Sequence, residues 1–181
     1  LLWFSCIYPF LAFKFIKGGF FSIVVIDTNL FGGAMLTLII VVTSIACSLP
    51  IGIVLALSRK TNLRLVKILS VCFIEFMRGV PLITLLFVAS TMLAYFLPPG
   101  TTFDILLRVL IMVTLFASAY MAEVIRGGLQ AISKGQHEAG DSLGLTYWQA
   151  NRLIVLPQAL KISIPGIVNT FIGLYKDTTL V

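Results

Sequence analysis

Charge is what this chain has least of. Asp, Glu, Lys and Arg make up 11% of its 181 residues, where a soluble globular domain carries about 25%. That scarcity excludes an ordinary water-soluble fold. Histidine occurs once, at His137. A lone histidine with no second ligand at a usable spacing does not make a metal site, and His137 is expected to be an exposed loop residue. Cysteine occurs three times, at Cys6, Cys47 and Cys72, without a C-x-x-C spacing. In apolar text such residues pack as small hydrophobes rather than forming disulfides. No G-x-x-x-x-G-K-[ST] stretch is present, so the chain has no phosphate-cradling loop of its own. Nor does any Ser-His-Asp or Cys-His grouping argue for nucleophilic catalysis.

What fills the chain is apolar sequence: 59% of its residues are hydrophobic and the mean hydropathy is +1.07. Thirteen Lys and Arg against seven Asp and Glu give a formal charge of +6. No basic run is interleaved with stacking aromatics, so nucleic acid is not the expected partner. In a membrane protein a cationic surplus records orientation instead.

The opening LLWFSCIYPFLAF is only about 13 residues, short of the roughly 20 that a spanning helix needs. It lacks the basic start and small-residue cleavage site of a signal peptide. Residues 1–31 are therefore read as an N-terminal apolar segment with an interfacial connection, and residues 32–181 as a membrane domain. Spans are expected at Ala34–Leu57, within Ile68–Leu97, at Ile105–Ile125 and at Ala159–Tyr175. The second stretch exceeds one straight helix, and Gly79 with Pro81 is expected to divide it into an interfacial part and a span. Pro165-Gly166 is expected to interrupt the fourth. Arg59, Lys60, Arg64 and Lys67 share one short loop, which places that loop on the cytoplasmic side. Pro98-Pro99-Gly100 then turns the chain outside, and the stretch after Ile125 returns to the cytoplasm with Arg126, Lys134, Arg152 and Lys161.

Two places repeat one arrangement: Glu75-x-x-Arg78-Gly79 and Glu123-x-x-Arg126-Gly127. A spacing of three puts each Glu beside its Arg on one helix face, which lowers the burial cost of both charges. The alternative is that these charges order an inner gate by pairing across helices. No acid or cation is expected well inside a span, which weighs against ion-coupled transport. Thr84, Ser90, Thr91, Ser118 and Thr170 read as helix-packing residues. Asn169 stands apart as a candidate pathway residue, since its amide needs several partners at depth.

The longest break in the apolar text is Ser133–Pro157, SKGQHEAGDSLGLTYWQANRLIVLP. A Ser or Thr followed three residues later by Gln occurs twice, at Ser133/Gln136 and Thr146/Gln149, as in a capping box. Gly144 lies between, where a left-handed residue would end the first helix. Pro157 is expected to end the second.

Glu138-Ala139-Gly140, a later Gly144 and Ile154-x-Leu156-Pro157 resemble the EAA signature of ABC-importer permease subunits. Ala119–Gly128, Lys134-Gly135-Gln136, Leu156-Pro157-Gln158-Ala159 and Lys176–Leu180 extend the resemblance to the polar amino acid branch, and within it to the general L-amino acid permeases. Gly140 departs from the signature's second Ala, at about 1 kcal/mol of helix propensity. The resemblance implies an all-α, polytopic transmembrane helix bundle of the type I importer permease kind, in the bacterial inner membrane. It implies a fragment too, one more span being expected after Val181. The function implied is the membrane-spanning subunit of an ATP-driven importer carrying L-amino acids from periplasm to cytoplasm. An ion-coupled secondary transporter and a non-transporting scaffold are the alternatives. The implied partners are ABC ATP-binding subunits, a second and different permease chain, a periplasmic amino acid-binding protein and the lipid bilayer. ATP would sit on the partner, leaving this chain without catalysis or cofactor. Glu138, Ala139, Gly140, Leu143, Gly144, Leu156 and Pro157 would form the ATPase-coupling loop, with Glu138 pairing with a basic group and Leu143 as the apolar anchor.

Overall fold

The computed structural model describes residues 33–92 and 105–178. The reading of residues 1–31 and of the turn at Pro98-Pro99-Gly100 lies outside the described residues. Among those residues every regular element is helical. In chain order they are α1 (Gly33–Lys60), α2 (Arg64–Gly79), α3 (Leu82–Phe87), α4 (Ile105–Gln130), α5 (Lys134–Ser142), α6 (Tyr147–Ala150) and α7 (Leu156–Asp177). A π-helical turn, Val88–Met92, extends α3, and another, Asn151–Val155, joins α6 to α7.

Among the described residues three helices are long and apolar enough to cross a membrane, α1, α4 and the continuous 31-residue run Tyr147–Asp177, and the bent pair of α2 with α3 and its π turn makes up to four. The break between α2 and α3 falls at Gly79 and Pro81, as the breaker residues predict, and the two helices meet at 101°. Apolar stretches this long must satisfy every backbone group internally once lipid surrounds them, and a helix does so without a partner.

The α4 helix is the centre of the bundle. It is 61% buried over its apolar window, against 17% for the run ending in α7. Close approach to α4 depends on absent side chains. A β-carbon at Gly52 of α1 would sit 2.6 Å from Met121 Cβ, and one at Gly128 of α4 would sit 2.5 Å from the Ala159 carbonyl oxygen in α7. Small residues at such crossings let backbones touch where no hydrophobic effect drives helices together. Ser163 Oγ donates to the Val124 carbonyl at 3.3 Å across the α4–α7 contact. Two apolar clusters fill the interior. One, with Val113, Phe116 and Leu85, joins α3 to α4, and the other, with Ile74, Ile125 and Val155, lies where α2, α4 and the π turn meet.

Two sequence expectations about proline are corrected. Pro157 does not end a helix but lies in the first turn of α7. The preceding π turn shifts the ladder by one residue, so that the Leu156 N–H donates to the Asn151 carbonyl. That shift is where the chain accommodates a residue that has no N–H of its own. Asn151, buried in this turn, donates its side-chain amide to the Tyr147 carbonyl at 2.8 Å. Pro165 likewise does not interrupt α7, which runs through it. Neighbouring helices hold such a helix together in a membrane protein.

Candidate functional site

The Ser133–Pro157 stretch folds as a helix, a tight turn and a second helix, placed where α4 ends and the long run into α7 begins. Its local geometry follows from its turn residues. Gly144 has φ +68°, the left-handed region that only glycine enters at no cost. The Leu145 N–H donates to the Gly140 carbonyl at 3.1 Å and the Gly144 N–H to Asp141 at 3.0 Å. Together these close the Schellman pattern that ends α5. At the start of α6, Gln149 Oε1 accepts from the Thr146 backbone N–H at 3.0 Å and from its hydroxyl at 2.9 Å, the expected capping box.

The first expected capping box is not formed. Ser133 occupies the N-cap position with extended backbone, but its side chain makes no cap bond. Gln136, the residue expected to reach back, instead accepts from Gln158 Nε2 at 2.9 Å. A local bond has been exchanged for one that fastens α5 to α7. Gly140 has a matching role. It is the buried residue of α5, and a β-carbon there would sit 3.2 Å from Ala150 Cβ. Glycine in place of the signature's alanine therefore brings α5 closer to α6.

The remaining loop residues point outward. Glu138 and Ala139 are exposed, as is Leu143 at 73%. Trp148 is 72% exposed and stands edge-on to Tyr147 at 5.9 Å between ring centroids. Leu156 is half-buried and Pro157 exposed. His137, expected in a loop, lies instead on α5 and is half-buried. Among the described residues no group of His, Cys, Asp or Glu could hold a metal ion.

The charge pairs form one cluster rather than two repeats. Glu123 of α4 accepts from Arg126 Nε at 2.8 Å one turn along, and from Arg59 Nη1 of α1 at 2.8 Å. Arg78 of α2 comes within 3.7 Å of the same carboxylate. Glu75 does not pair with Arg78 one turn on, as its spacing suggests, but with Arg59 Nη2 at 3.1 Å. Arg78 also lies over the Tyr120 ring, 5.6 Å from its centroid. The cluster thus ties α1, α2 and α4 together, with Glu123 as its hub and Arg59 as the bridge between both glutamates. Arg59 and Arg126 make charge-assisted hydrogen bonds to this half-buried carboxylate, and Arg78 adds an ion pair.

Sequence reasoning missed two arginines. Arg59 was legible only as an orientation signal, and nothing in its neighbourhood marks a partner so far along the chain. Arg108 gave no signal of burial in the sequence. It sits one turn into α4, 9% exposed, and its buried Nε has no hydrogen-bond partner among the described residues. Asn169 lies on the exposed side of α7, and the several partners expected for it are not found among the described residues.

Residues 48–181 match the family described as binding-protein-dependent transport system inner membrane component. The chain belongs to that family. Its relatives include the glutamate/glutamine/aspartate/asparagine transport system permease protein of Rhodobacter capsulatus, 68% identical over 86% of this chain and 36% of the relative. An inner membrane amino-acid ABC transporter permease of Escherichia coli is 55% identical over 98% of this chain and 48% of the relative. The chain therefore spans less than half the length of these two relatives. A crystal structure of an amino acid ABC transporter with histidines is 31% identical, with a TM-score of 0.69 over 80% of this chain and 66% of that one. This inner membrane component is accordingly a multi-pass helical protein with the type I permease fold.

Proposed function

We propose that this chain is the membrane-spanning permease subunit of an ATP-driven importer moving L-amino acids from periplasm to cytoplasm. The observation that carries the proposal is the α5 lever. It is ended by Gly144, fastened to α7 through Gln136 and Gln158, and edged by exposed Leu143, Tyr147 and Trp148. A short rigid element joined directly to two spans transmits movement; a loose loop would absorb it. In this reading α5 lies on the cytoplasmic side and docks on an ATP-binding subunit, with Leu143 as apolar anchor and Glu138 facing a basic group. The ATP sits on that partner.

A second, different permease chain completes the pore, and a periplasmic binding protein delivers the substrate. The Rhodobacter relative's name supports acidic amino acids and their amides as cargo. Glu75, Arg78, Glu123 and Arg126, with Arg59, act as the inner gate's latch, since they bind three helices at one level. Asn169 faces the pathway or the sister chain from the uncovered side of α7.

The test is reconstitution of the full-length permease with its ATPase and binding protein in vesicles. Uptake of labelled L-glutamate and L-glutamine is expected to require ATP. Glu138→Lys and Gly144→Leu are expected to insert in membranes yet lose co-purification with the ATPase. Uptake driven by an ion gradient without the ATPase, or normal complex formation by both variants, would overturn the reading.

A further inference from the structure

The gate cluster uses Arg59 and Arg126, but beside them lies a cavity of about 450 Å³ that the proposed function leaves unexplained. Its charged lining is Arg59, Lys60, Lys67, Arg126 and Lys134, joined by His137, and it contains no carboxylate. Arg59 and Arg126 are already paired with Glu123. Lys60, Lys67 and Lys134 have no ion pair among the described residues. They come from three separate elements, the end of α1, the start of α2 and the start of α5. The floor between them is apolar, made of Ala56, Leu129 and Ile132. Like charges gathered over an apolar floor repel one another until an anion joins them.

The neighbouring helix says what kind of anion. Leu65, Leu69, Cys72 and Phe76 recur at helical spacing along one exposed side of α2, with Ile68 beside them. This helix meets the next at 101°, so when α3 and its π turn enter the bilayer, α2 lies along the surface. An amphipathic helix in that position sinks its apolar side to the headgroup boundary. Lys67 lies on the opposite side of α2, so that it and the cavity it lines open to the headgroup layer. The ends of α1 and α4 carry Lys60 and Arg126 to the same level.

We propose that this cavity binds the headgroup phosphate of an anionic phospholipid. The phosphate draws Lys60, Lys67 and Lys134 together. Because Lys134 opens α5, the lipid clamps that helix to the bundle.

The test uses full-length permease, assembled with its partner subunits, in nanodiscs of phosphatidylcholine titrated with phosphatidylglycerol. Native mass spectrometry reads the lipid retained. A Lys60→Gln/Lys67→Gln/Lys134→Gln variant is expected to lose phosphatidylglycerol affinity on the order of 100-fold, the sum of three lysine attractions at the surface. A control Arg152→Gln/Lys161→Gln, two exposed cations outside the cavity, is expected to bind as the parent does. Equal retention by parent and triple variant, or equal loss in the control, would sink the proposal. Displacement of the lipid by millimolar glycerol phosphate or inorganic phosphate would also overturn it, assigning the cavity to a free anion. Should the triple variant fail to assemble, a photoactivatable phosphatidylglycerol on the parent complex provides the readout. Label on the Lys60 and Lys134 peptides, absent with the phosphatidylcholine probe, supports the site, and equal labelling by both probes refutes it.

Discussion

Arg59, at the end of α1, donates to the Glu123 carboxylate of α4 at 2.8 Å, across 64 positions of sequence. The same guanidinium turns its other nitrogen to Glu75. One arginine thus fixes the relative placement of three helices at one end of the bundle. An arginine fork suits this job because its planar donors can serve two carboxylates at once.

The two glutamates are not equivalent. Glu123 is 21% exposed and faces three arginines, whereas Glu75 is 54% exposed and faces one. Glu123→Gln is expected to lower stability by about 1–3 kcal/mol, the scale of charge-assisted hydrogen bonds. Glu75→Gln is expected to cost less than about 1 kcal/mol, as exposed pairs do. Thermal unfolding of each variant in nanodiscs measures the difference, and equal melting shifts would contradict the hub assignment. A charge swap, Arg59→Glu with Glu123→Arg, is expected to recover nothing, because the new arginine would face Arg78 and Arg126 and the new glutamate would face Glu75.

Gly144 and Gly135 lie nine residues apart but respond oppositely to alanine. Gly144→Ala forces a β-carbon into the left-handed region, at about 1–2 kcal/mol. Gly135 lies within α5 with open space around its would-be β-carbon. Gly135→Ala is expected to stabilise α5 by up to about 1 kcal/mol. Hydrogen exchange at the amides of α5 reports both changes, and the same sign for the two variants would be inconsistent with the turn described.

Gly140→Ala restores the family's alanine. The helix gains about 1 kcal/mol of propensity, while the new β-carbon crowds Ala150 at 3.2 Å. The two effects are expected to leave stability within about 1 kcal/mol of the parent. Gly140→Leu has no such relief and is expected to push α5 off α6. A crosslink between cysteines placed at Gln136 and Gln158 reads that displacement directly.

Adjacent glycines at the end of α4 make a sharper contrast. A side chain at Gly128 meets the α7 backbone, whereas one at Gly127 meets nothing within 4 Å. Gly128→Val is expected to cost about 1–3 kcal/mol or more through overpacking, and Gly127→Val far less. Melting temperatures of the two variants decide the matter.

Features set by neighbouring residues were legible in the sequence. Gly144 marks its turn because no other residue enters that conformation freely, and Gly79 with Pro81 marks a break for the same local reason. The apolar runs announce their spans through length alone. What required the fold was every choice between a local and a distant partner. Glu75 and Arg78 satisfy the helix-pair spacing yet bond elsewhere, because Arg59 approaches from another helix. Gln136 forgoes its cap for Gln158 on the same grounds. The prolines at 157 and 165 misled because breaker rules describe helices in water, where freed backbone groups find solvent. Packed against α4, the chain absorbs them with a π turn at the first and none at the second.

The unbroken run from Tyr147 to Asp177 is 31 residues, or about 46 Å at 1.5 Å per residue. The hydrocarbon layer is only about 30 Å thick. Roughly a third of this rod is therefore surplus to the hydrocarbon, and Trp148 stands at one end of it. A sideways nudge of a few ångströms applied there cannot be absorbed by bending at a loop, since none intervenes. It must tilt the whole beam about its contact with α4, and the far end, near Tyr175, swings the opposite way.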